Sequence, residues 1–174
     1  SLNTDSIART AEEVAQRAHQ LIVEGADGFD IGGQGSTDIA VEVDLEQEWE
    51  RILPALEVLS GIGRPMSIDT FHPSLVRRAV GFGITHLNAA DGMDAEAMWE
   101  VAAECELDIV VPFMIGNHPH RLRHSTGDPL EEMESLFEQR LNTAVRWGVR
   151  ERCLLDPGTG FAPRQWNWDE RYRY

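Results

Sequence analysis

The most constraining feature of this sequence is a regular alternation between short apolar runs and longer segments whose apolar residues recur at helical spacing. Five short runs are separated by segments of about 11 to 20 residues with the helical period. Because connections of this length do not make hairpins, the runs are predicted to pair in parallel through crossover helices. The sequence therefore predicts an α/β fold with about five strands and five helices, in which helices cover the sheet.

The ends of the predicted elements carry recognisable signals. The predicted strands are 28–31, 66–69, 85–88, 109–113 and 153–156. Apolar periodicity predicts a first helix from Ser6 to Glu24 that stops at Gly25, and Asp44-Leu45-Glu46-Gln47 has the form of a capping box that opens the second. Later helices are predicted to begin at Pro73 and Pro129, because proline is tolerated in a first helical turn.

Composition narrows the class of protein. The net charge of −15 disfavours binding to nucleic acid or to an anionic membrane, since both need clustered Lys and Arg. The sequence has a negative mean hydropathy and no long apolar run, which argues against a membrane span. The first ten residues show no basic segment followed by an apolar stretch, so a cytoplasmic location is expected.

Cysteine and histidine residues give weaker indications. Cys105 and Cys153 have apolar neighbours and no CxxC spacing, which predicts buried thiols rather than a disulfide or redox pair. His118, His120 and His124 lie within seven residues. Three imidazoles this close could share a metal ion, could meet an anion together with nearby arginines, or could belong to a purely structural loop.

Polar side chains stand at the ends of three predicted strands. Asp69, Asn88 and Asp156 each follow apolar residues. Any one of them is explained by capping of the next turn or helix, but three together at the carboxyl edge of a parallel sheet predict a ligand site. Two carboxylates and a carboxamide can pair with the adjacent donors and acceptors of an aminopyrimidinone ring, such as that of a pterin.

Four segments, taken in order and spacing, resemble the dihydropteroate synthase family. They are Asp30-Ile31-Gly32-Gly33 with Ser36-Thr37, Ser67-Ile68-Asp69-Thr70, Leu87-Asn88, and Leu155-Asp156-Pro157-Gly158-Thr159-Gly160-Phe161. The resemblance implies a (β/α)₈ barrel of the TIM type, binding of a pterin and of p-aminobenzoate, and a transferase of folate biosynthesis. Such an enzyme joins 6-hydroxymethyl-7,8-dihydropterin diphosphate to p-aminobenzoate and releases diphosphate. A Mg²⁺ ion and a homodimer are further expectations from the family.

The resemblance also assigns roles to individual residues. The pterin-binding positions correspond to Asp69, Asn88 and Asp156, and Gly160 and Phe161 correspond to the mouth of the pocket. Asp69 and Asp156 are the expected catalytic groups, because carboxylates beside the ring favour the cation that forms when diphosphate leaves. A glycine-rich loop with Ser36 and Thr37 corresponds to the p-aminobenzoate and diphosphate side.

The sequence departs from the family pattern at several positions. Thr37 is followed by Asp38 where the family has Arg, and Asn88 is followed by Ala89 where the family has Asp, with Asp91 two positions further on. Pro112-Phe113-Met114 replaces the family's His before Met. The family's first strand, whose segment supplies the metal contact, and its last two strands have no counterpart.

These departures define the expected domain and its alternatives. Residues 1–174 are predicted to form a single, partial pterin-binding barrel domain with two unpaired sheet edges, so we expect a truncated chain, an omitted stretch or a partner that supplies strands. One alternative is a folate-binding methyltransferase that serves corrinoid proteins, although the Asp-Pro-Gly-x-Gly-Phe segment favours the synthase. Another is a degenerate, catalytically inactive paralogue that binds pterin.

Overall fold

Strands and helices alternate strictly along the chain in a computed structural model that describes residues 7–35, 42–115 and 127–158. The elements are α1 Ala11–Val23, β1 Phe29–Gly32, α2 Leu45–Leu59, β2 Met66–Thr70, α3 Pro73–Ala79, β3 His86–Ala89, α4 Glu96–Glu104, β4 Asp108–Pro112, α5 Pro129–Trp147 and β5 Cys153–Asp156. All five strands are parallel and lie in the order β1-β2-β3-β4-β5. This sequential parallel order is that of a (β/α)₈ barrel, here with five strands, and it confirms the predicted fold class.

Helix α1 begins later than the apolar periodicity indicated. The predicted start at Ser6 is wrong, because residues 7–10 are not helical and the first helical residue is Ala11. Thr10 is the N-cap: its hydroxyl accepts from the Glu13 amide, and the Glu13 carboxylate accepts from the Thr10 amide. This capping box stops the helix from extending towards the N-terminus.

Helix α2 begins where the sequence predicts. Asp44 is its N-cap, and its carboxylate accepts from the Gln47 amide at 2.8 Å. The helix continues through Pro54 to Leu59 and buries Ile52, Leu56 and Leu59. It therefore packs on the sheet through the apolar stripe that its period indicates.

The two faces of the sheet differ in polarity. The face covered by helices buries one residue set, including Ile31, Ile68, Leu87, Ile109 and Val111. The alternate residues point to the opposite face and are exposed or half-buried: Asp30, Ser67, Asp69, His86, Asn88 and Asp108. Since side chains alternate along a strand, the polar set occupies what is the inner side of the barrel.

The two cysteines are only partly covered. Cys105 and Cys153 are free thiols of intermediate exposure, which corrects the expectation that they are buried. Cys105 is the C-cap of α4 and Cys153 begins β5, and both positions lie at the ends of elements rather than in the core. Burial raises the pKa of each thiol, so neither is activated as a thiolate. None of the described helices is long and apolar enough to cross a membrane.

Candidate functional site

The three strand-end residues all lie at the carboxyl edge of the sheet. Asp69 on β2 is the register partner of Asn88 on β3, and the other neighbour of Asp69 is Gly32 of β1. Asp156 is the last residue of β5 and lies opposite Pro112 of β4. Strand alternation places it on the same face as Asn88, two strands away. The structure thus gathers the predicted carboxylates and the carboxamide on one edge and one face.

Asp30 is a fourth polar residue of this face, and it belongs to one of the family-like segments but was not among the predicted site residues. Asn88 Nδ2 donates to Asp30 Oδ2 at 2.9 Å, and Ser67 Oγ donates to Asp30 Oδ1. Asp30 therefore accepts from both β2 and β3 and fixes the orientation of the Asn88 amide. The prediction considered only residues at strand ends, and Asp30 lies two residues before the end of β1. The alternation of side chains along a strand nevertheless places Asp30 on the same face as Asp69.

The glycines after β1 allow close approach of neighbouring groups. A Cβ at Gly32 would lie 3.3 Å from Asp69 Cβ, and a Cβ at Gly33 would lie 2.6 Å from Glu48 Cγ. The second distance is shorter than any ordinary carbon contact. A side chain at position 33 would displace α2 from the strand end, so packing requires glycine there, whereas a Cβ at position 32 needs only a small shift of Asp69.

Asp156 combines a structural contact with its place on the site face. One oxygen of its carboxylate accepts from the Gly158 amide at 2.9 Å, and its backbone carbonyl accepts from the Phe113 amide at 2.7 Å. Gly158 has φ +64°, and a Cβ there would collide with the Phe113 carbonyl. The turn therefore depends on glycine, and it holds the half-buried Asp156 carboxylate beside the end of β4.

Asp91 does not replace the carboxylate that the family has after Asn88. Its side chain is buried and accepts from the amides of Met93 and Ala95, each at 3.0 Å. Burial raises the pKa of Asp91, and these two amide donors oppose that rise. The Asp91 carboxylate thus closes the turn that leads into α4, and the position next to Asn88 is the apolar Ala89.

A buried carboxyl in α2 is the second polar residue that the sequence analysis missed. Glu48 is fully buried, and its Oε2 accepts from Gln34 Nε2 at 3.0 Å and lies 3.5 Å from His72 Nε2. Burial raises the pKa of this carboxyl, and Thr70, His72, Gln34 and Arg51 oppose the rise. Glu48 stands three residues after Leu45 and four before Ile52, so it lies on the apolar stripe of α2, where an acidic side chain is the signal that could have found it.

Several predicted residues lie outside the part of the chain that the structure describes. They are Ser36, Thr37, Gly160, Phe161, His118, His120 and His124. Among the described residues, no group of three or more His, Cys, Asp or Glu side chains could hold a metal ion.

Comparison with known proteins gives consistent results. A family model for pterin binding enzymes matches residues 1–168. Dihydropteroate synthase type-2 of Escherichia coli is 31% identical over 147 residues, which are 83% of this chain and 54% of that protein. A Burkholderia cenocepacia dihydropteroate synthase complexed with 7,8-dihydropteroate superposes with a TM-score of 0.82 at 28% identity, over 93% of this chain and 58% of that one.

A second solved structure agrees with the first. Xanthomonas albilineans dihydropteroate synthase with 4-aminobenzoic acid has a TM-score of 0.78 at 30% identity, over 87% of this chain and 54% of that chain. The chain thus spans slightly more than half the length of these bacterial relatives.

Proposed function

The chain belongs to the pterin-binding enzyme family, and from that premise we propose that the protein which carries it is a dihydropteroate synthase-like transferase of folate biosynthesis. It condenses 6-hydroxymethyl-7,8-dihydropterin diphosphate with p-aminobenzoate. The observation that carries this proposal is the convergence of Asp30, Asp69, Asn88 and Asp156 on one edge and face of a parallel sheet. The likeness to solved synthases, one with 7,8-dihydropteroate and one with 4-aminobenzoic acid, supports it.

Recognition of the pterin follows from the polarity of this edge. The carboxylates of Asp69 and Asp156 are acceptors for the amino and ring N–H groups of an aminopyrimidinone. Asn88 Nδ2 donates one of its two N–H groups to Asp30 at 2.9 Å, which leaves the carbonyl oxygen and the second N–H of the amide for the ring. Asp30 acts through Asn88, because it fixes the orientation of that amide.

The chemistry proposed for the site is substitution at the pterin methylene. The carbon–oxygen bond to diphosphate breaks and its electron pair leaves with diphosphate, so that positive charge spreads from the methylene into the ring. The aniline nitrogen then forms the new carbon–nitrogen bond and loses a proton. Asp69 and Asp156 lower the barrier because fixed negative charge beside the ring stabilises the cation more than the neutral substrate.

Further expectations from the family belong to the same proposal. Ser36 and Thr37 are proposed on the p-aminobenzoate and diphosphate side, and Gly160 and Phe161 at the mouth of the pterin pocket. A single domain, a homodimer and a cytoplasmic location are proposed for the same protein. A role for Mg²⁺ is proposed from the family alone.

Pterin binding without turnover is a second candidate function. It is favoured by the position of Asp91, whose carboxylate closes the turn into α4 and leaves Ala89 next to Asn88. Replacement of the family's loop Arg by Asp38 points the same way, since an anion disfavours diphosphate. Both departures affect groups other than the three proposed pterin contacts.

Calorimetry and an activity assay on the full protein separate these candidates. A pterin is titrated first, and dihydropteroate formation from the diphosphate and p-aminobenzoate is then measured. Binding with turnover supports the synthase, binding without turnover supports the degenerate paralogue, and absence of binding contradicts both.

The Asp156→Asn variant tests the site itself. We expect it to weaken pterin binding by about 1 to 3 kcal/mol, the scale of a buried hydrogen bond to a charged group. Asp108→Asn is the matched control, because Asp108 lies at the opposite, amino-terminal end of its strand, where its carboxylate faces His86 at 3.7 Å. Equal affinities for wild type and Asp156→Asn would remove Asp156 from the site.

A further inference from the structure

Glu48 differs from the other acidic residues at the start of α2. Glu46 and Glu50 are exposed, whereas Glu48 has no exposed surface. Oε1 of Glu48 makes no hydrogen bond of good geometry with the described residues, although Thr70 lies close enough to lower the pKa of the carboxyl. Transferring a carboxyl from water to such a place is costly, and an apolar residue of equal volume would fill the same space more favourably. Packing alone therefore does not explain why a glutamate stands here.

The contacts of Glu48 lead to both ends of one segment. Gln34, which follows β1, donates through Nε2 to Glu48 Oε2 at 3.0 Å. The other end of the same Gln34 amide accepts from the Val43 amide at 3.5 Å, and Val43 is buried just before α2. One side chain thus joins the residue that precedes 35–42 to the residue that follows them. Glu48 fixes the orientation of the Gln34 side chain by accepting from its Nε2.

The backbone after β1 is also held against α2. Gly33 packs on Glu48 without room for a Cβ, and Arg51 Nη1 donates to the Gly33 carbonyl at 3.0 Å. On its other side Glu48 faces His72 of the segment after β2, where the His72 amide donates to Thr70 Oγ1. Glu48 is therefore the point at which the first turn of α2 meets the chain leaving β1 and β2.

We propose that Glu48 is a positioning residue that, through Gln34, fixes both ends of the segment between β1 and α2 relative to the carboxyl edge of the sheet. It touches no proposed pterin contact directly. Asp69 keeps its place without Glu48, because β2 is hydrogen-bonded to both β1 and β3. The consequence for catalysis rests on the proposed function, in which Ser36 and Thr37, between Gln34 and Val43 in sequence, serve the p-aminobenzoate side.

Hydrogen exchange on the full protein tests the positioning role independently of activity. Glu48→Met has a similar length and removes the contacts of Glu48 with Gln34, Thr70 and His72, so the free energy of unfolding is expected to fall because their donors lose an acceptor. Amides of residues 33–35 and 42–44 are expected to exchange roughly tenfold faster than the loss of global stability accounts for, the change that corresponds to losing one hydrogen bond, while those of 86–89 change only with global stability. Glu48→Gln, which keeps an acceptor for Gln34, is expected to restore slow exchange, and Glu50→Gln is the exposed control.

Two further results complete the test. Gln34→Met removes the same connection from its other end, leaves Glu48 Oε2 without that donor, and is expected to reproduce the local acceleration. With the two substrates, Glu48→Met is expected to raise KM for p-aminobenzoate roughly tenfold. Pterin affinity measured by calorimetry is expected to change less than about twofold, because Glu48 touches none of the proposed pterin contacts.

The outcomes are distinguishable. Unchanged exchange at 33–35 and 42–44 in Glu48→Met, or acceleration spread evenly over the whole chain, would overturn the positioning role. If wild-type protein forms no dihydropteroate, the proposed function fails, and the exchange measurement still decides whether Glu48 fixes this segment.

Discussion

Little space separates the backbone after β1, at Gly33, from helix α2. An added Cβ would lie 2.6 Å from Glu48 Cγ and 2.8 Å from the Glu48 carbonyl oxygen. Since the second neighbour is backbone, relaxation requires α2 to move. We expect Gly33→Ala to lower the free energy of unfolding by about 1 to 3 kcal/mol, as measured by urea denaturation.

Gly81→Ala is the control for that substitution. Gly81 lies in the short 3₁₀ helix Val80–Phe82, and a Cβ there would meet nothing within 4 Å. Its replacement is expected to leave stability unchanged or to raise it by about 0.4 to 1 kcal/mol. Equal losses in the two variants would show that the contact with Glu48 does not set the requirement at position 33.

The Glu48 carboxyl is expected to make stability depend on pH. Burial raises its pKa above the ordinary value of 4.5, so the folded protein binds this proton more tightly than the unfolded chain. Its contribution therefore favours folding at low pH and is lost as pH rises through the raised pKa. Glu48→Gln cannot titrate, so from pH 4.5 upward wild type should lose stability relative to this variant.

Denaturant unfolding of both proteins at several pH values measures that difference. The other titratable or charged groups near Glu48 are His72, whose Nε2 lies 3.5 Å from Glu48 Oε2, and Arg51. Both remain in the variant. Glu50→Gln, at an exposed position of the same helix, should follow the wild-type curve in parallel. A constant difference between wild type and Glu48→Gln at every pH would contradict the prediction.

At the scale of single residues, the sequence predicted the polar side chains that end the strands. Asp69, Asn88 and Asp156 end apolar runs, and the parallel sheet brings them to one edge. Asp30 and Glu48 were not predicted because their contacts are distant in sequence. Asp30 accepts from Asn88, 58 residues away, and Glu48 accepts from Gln34, 14 residues away. Local pattern carries no information about which distant group a polar side chain meets.

At the scale of elements, Arg140 of α5 fixes the loop that leaves β3. Its Nε donates to the Gly92 carbonyl at 2.9 Å and its Nη2 to Asp94 at 2.8 Å, with only 11% of the side chain exposed. This loop follows Asn88 and includes the buried Asp91. We expect Arg140→Met, which keeps the apolar stem, to cost about 1 to 3 kcal/mol because charge-assisted hydrogen bonds are lost.

Arg146→Met is the companion variant in the same helix. Arg146 is exposed and donates to Thr143 within α5, so its loss should change the free energy of unfolding by less than about 0.5 kcal/mol. Urea denaturation of both variants makes the comparison. If the two variants lose equal stability, the hydrogen bonds from Arg140 to the loop after β3 contribute nothing to the free energy of unfolding.

Helix boundaries show a similar division between what was predictable and what was not. The Asp44 cap of α2 was read correctly because a polar cap immediately precedes the apolar period. For α1 the period was traced back to Ser6, although Thr10 and Glu13 have the Thr-x-x-Glu form of a capping box. Ile7 fits the period yet is 56% exposed, since it precedes the cap. Capping residues therefore locate a helix start better than apolar spacing.

At the scale of the whole molecule, strand order followed from the alternation because sequential parallel strands with short crossovers leave few topologies. The sheet of the described residues has β1 and β5 at its edges. Leu154 and Leu155 of β5 are 52% and 45% exposed, one on each face of the strand. An edge strand with exposed apolar residues on both faces can pair with another chain.

Self-association is therefore expected when the 174-residue chain is expressed by itself. Sedimentation velocity should show it, and it should strengthen with added salt, because the charge of −15 opposes association until it is screened. Leu155→Glu should reduce the association constant by at least about tenfold, or 1.4 kcal/mol. Val145→Glu alters another exposed apolar residue, 58% exposed, which lies on helix α5 and not on β5. If this control disperses the oligomers as well, general surface charge and not the β5 edge governs association. An effect confined to position 155 assigns the association to the β5 edge.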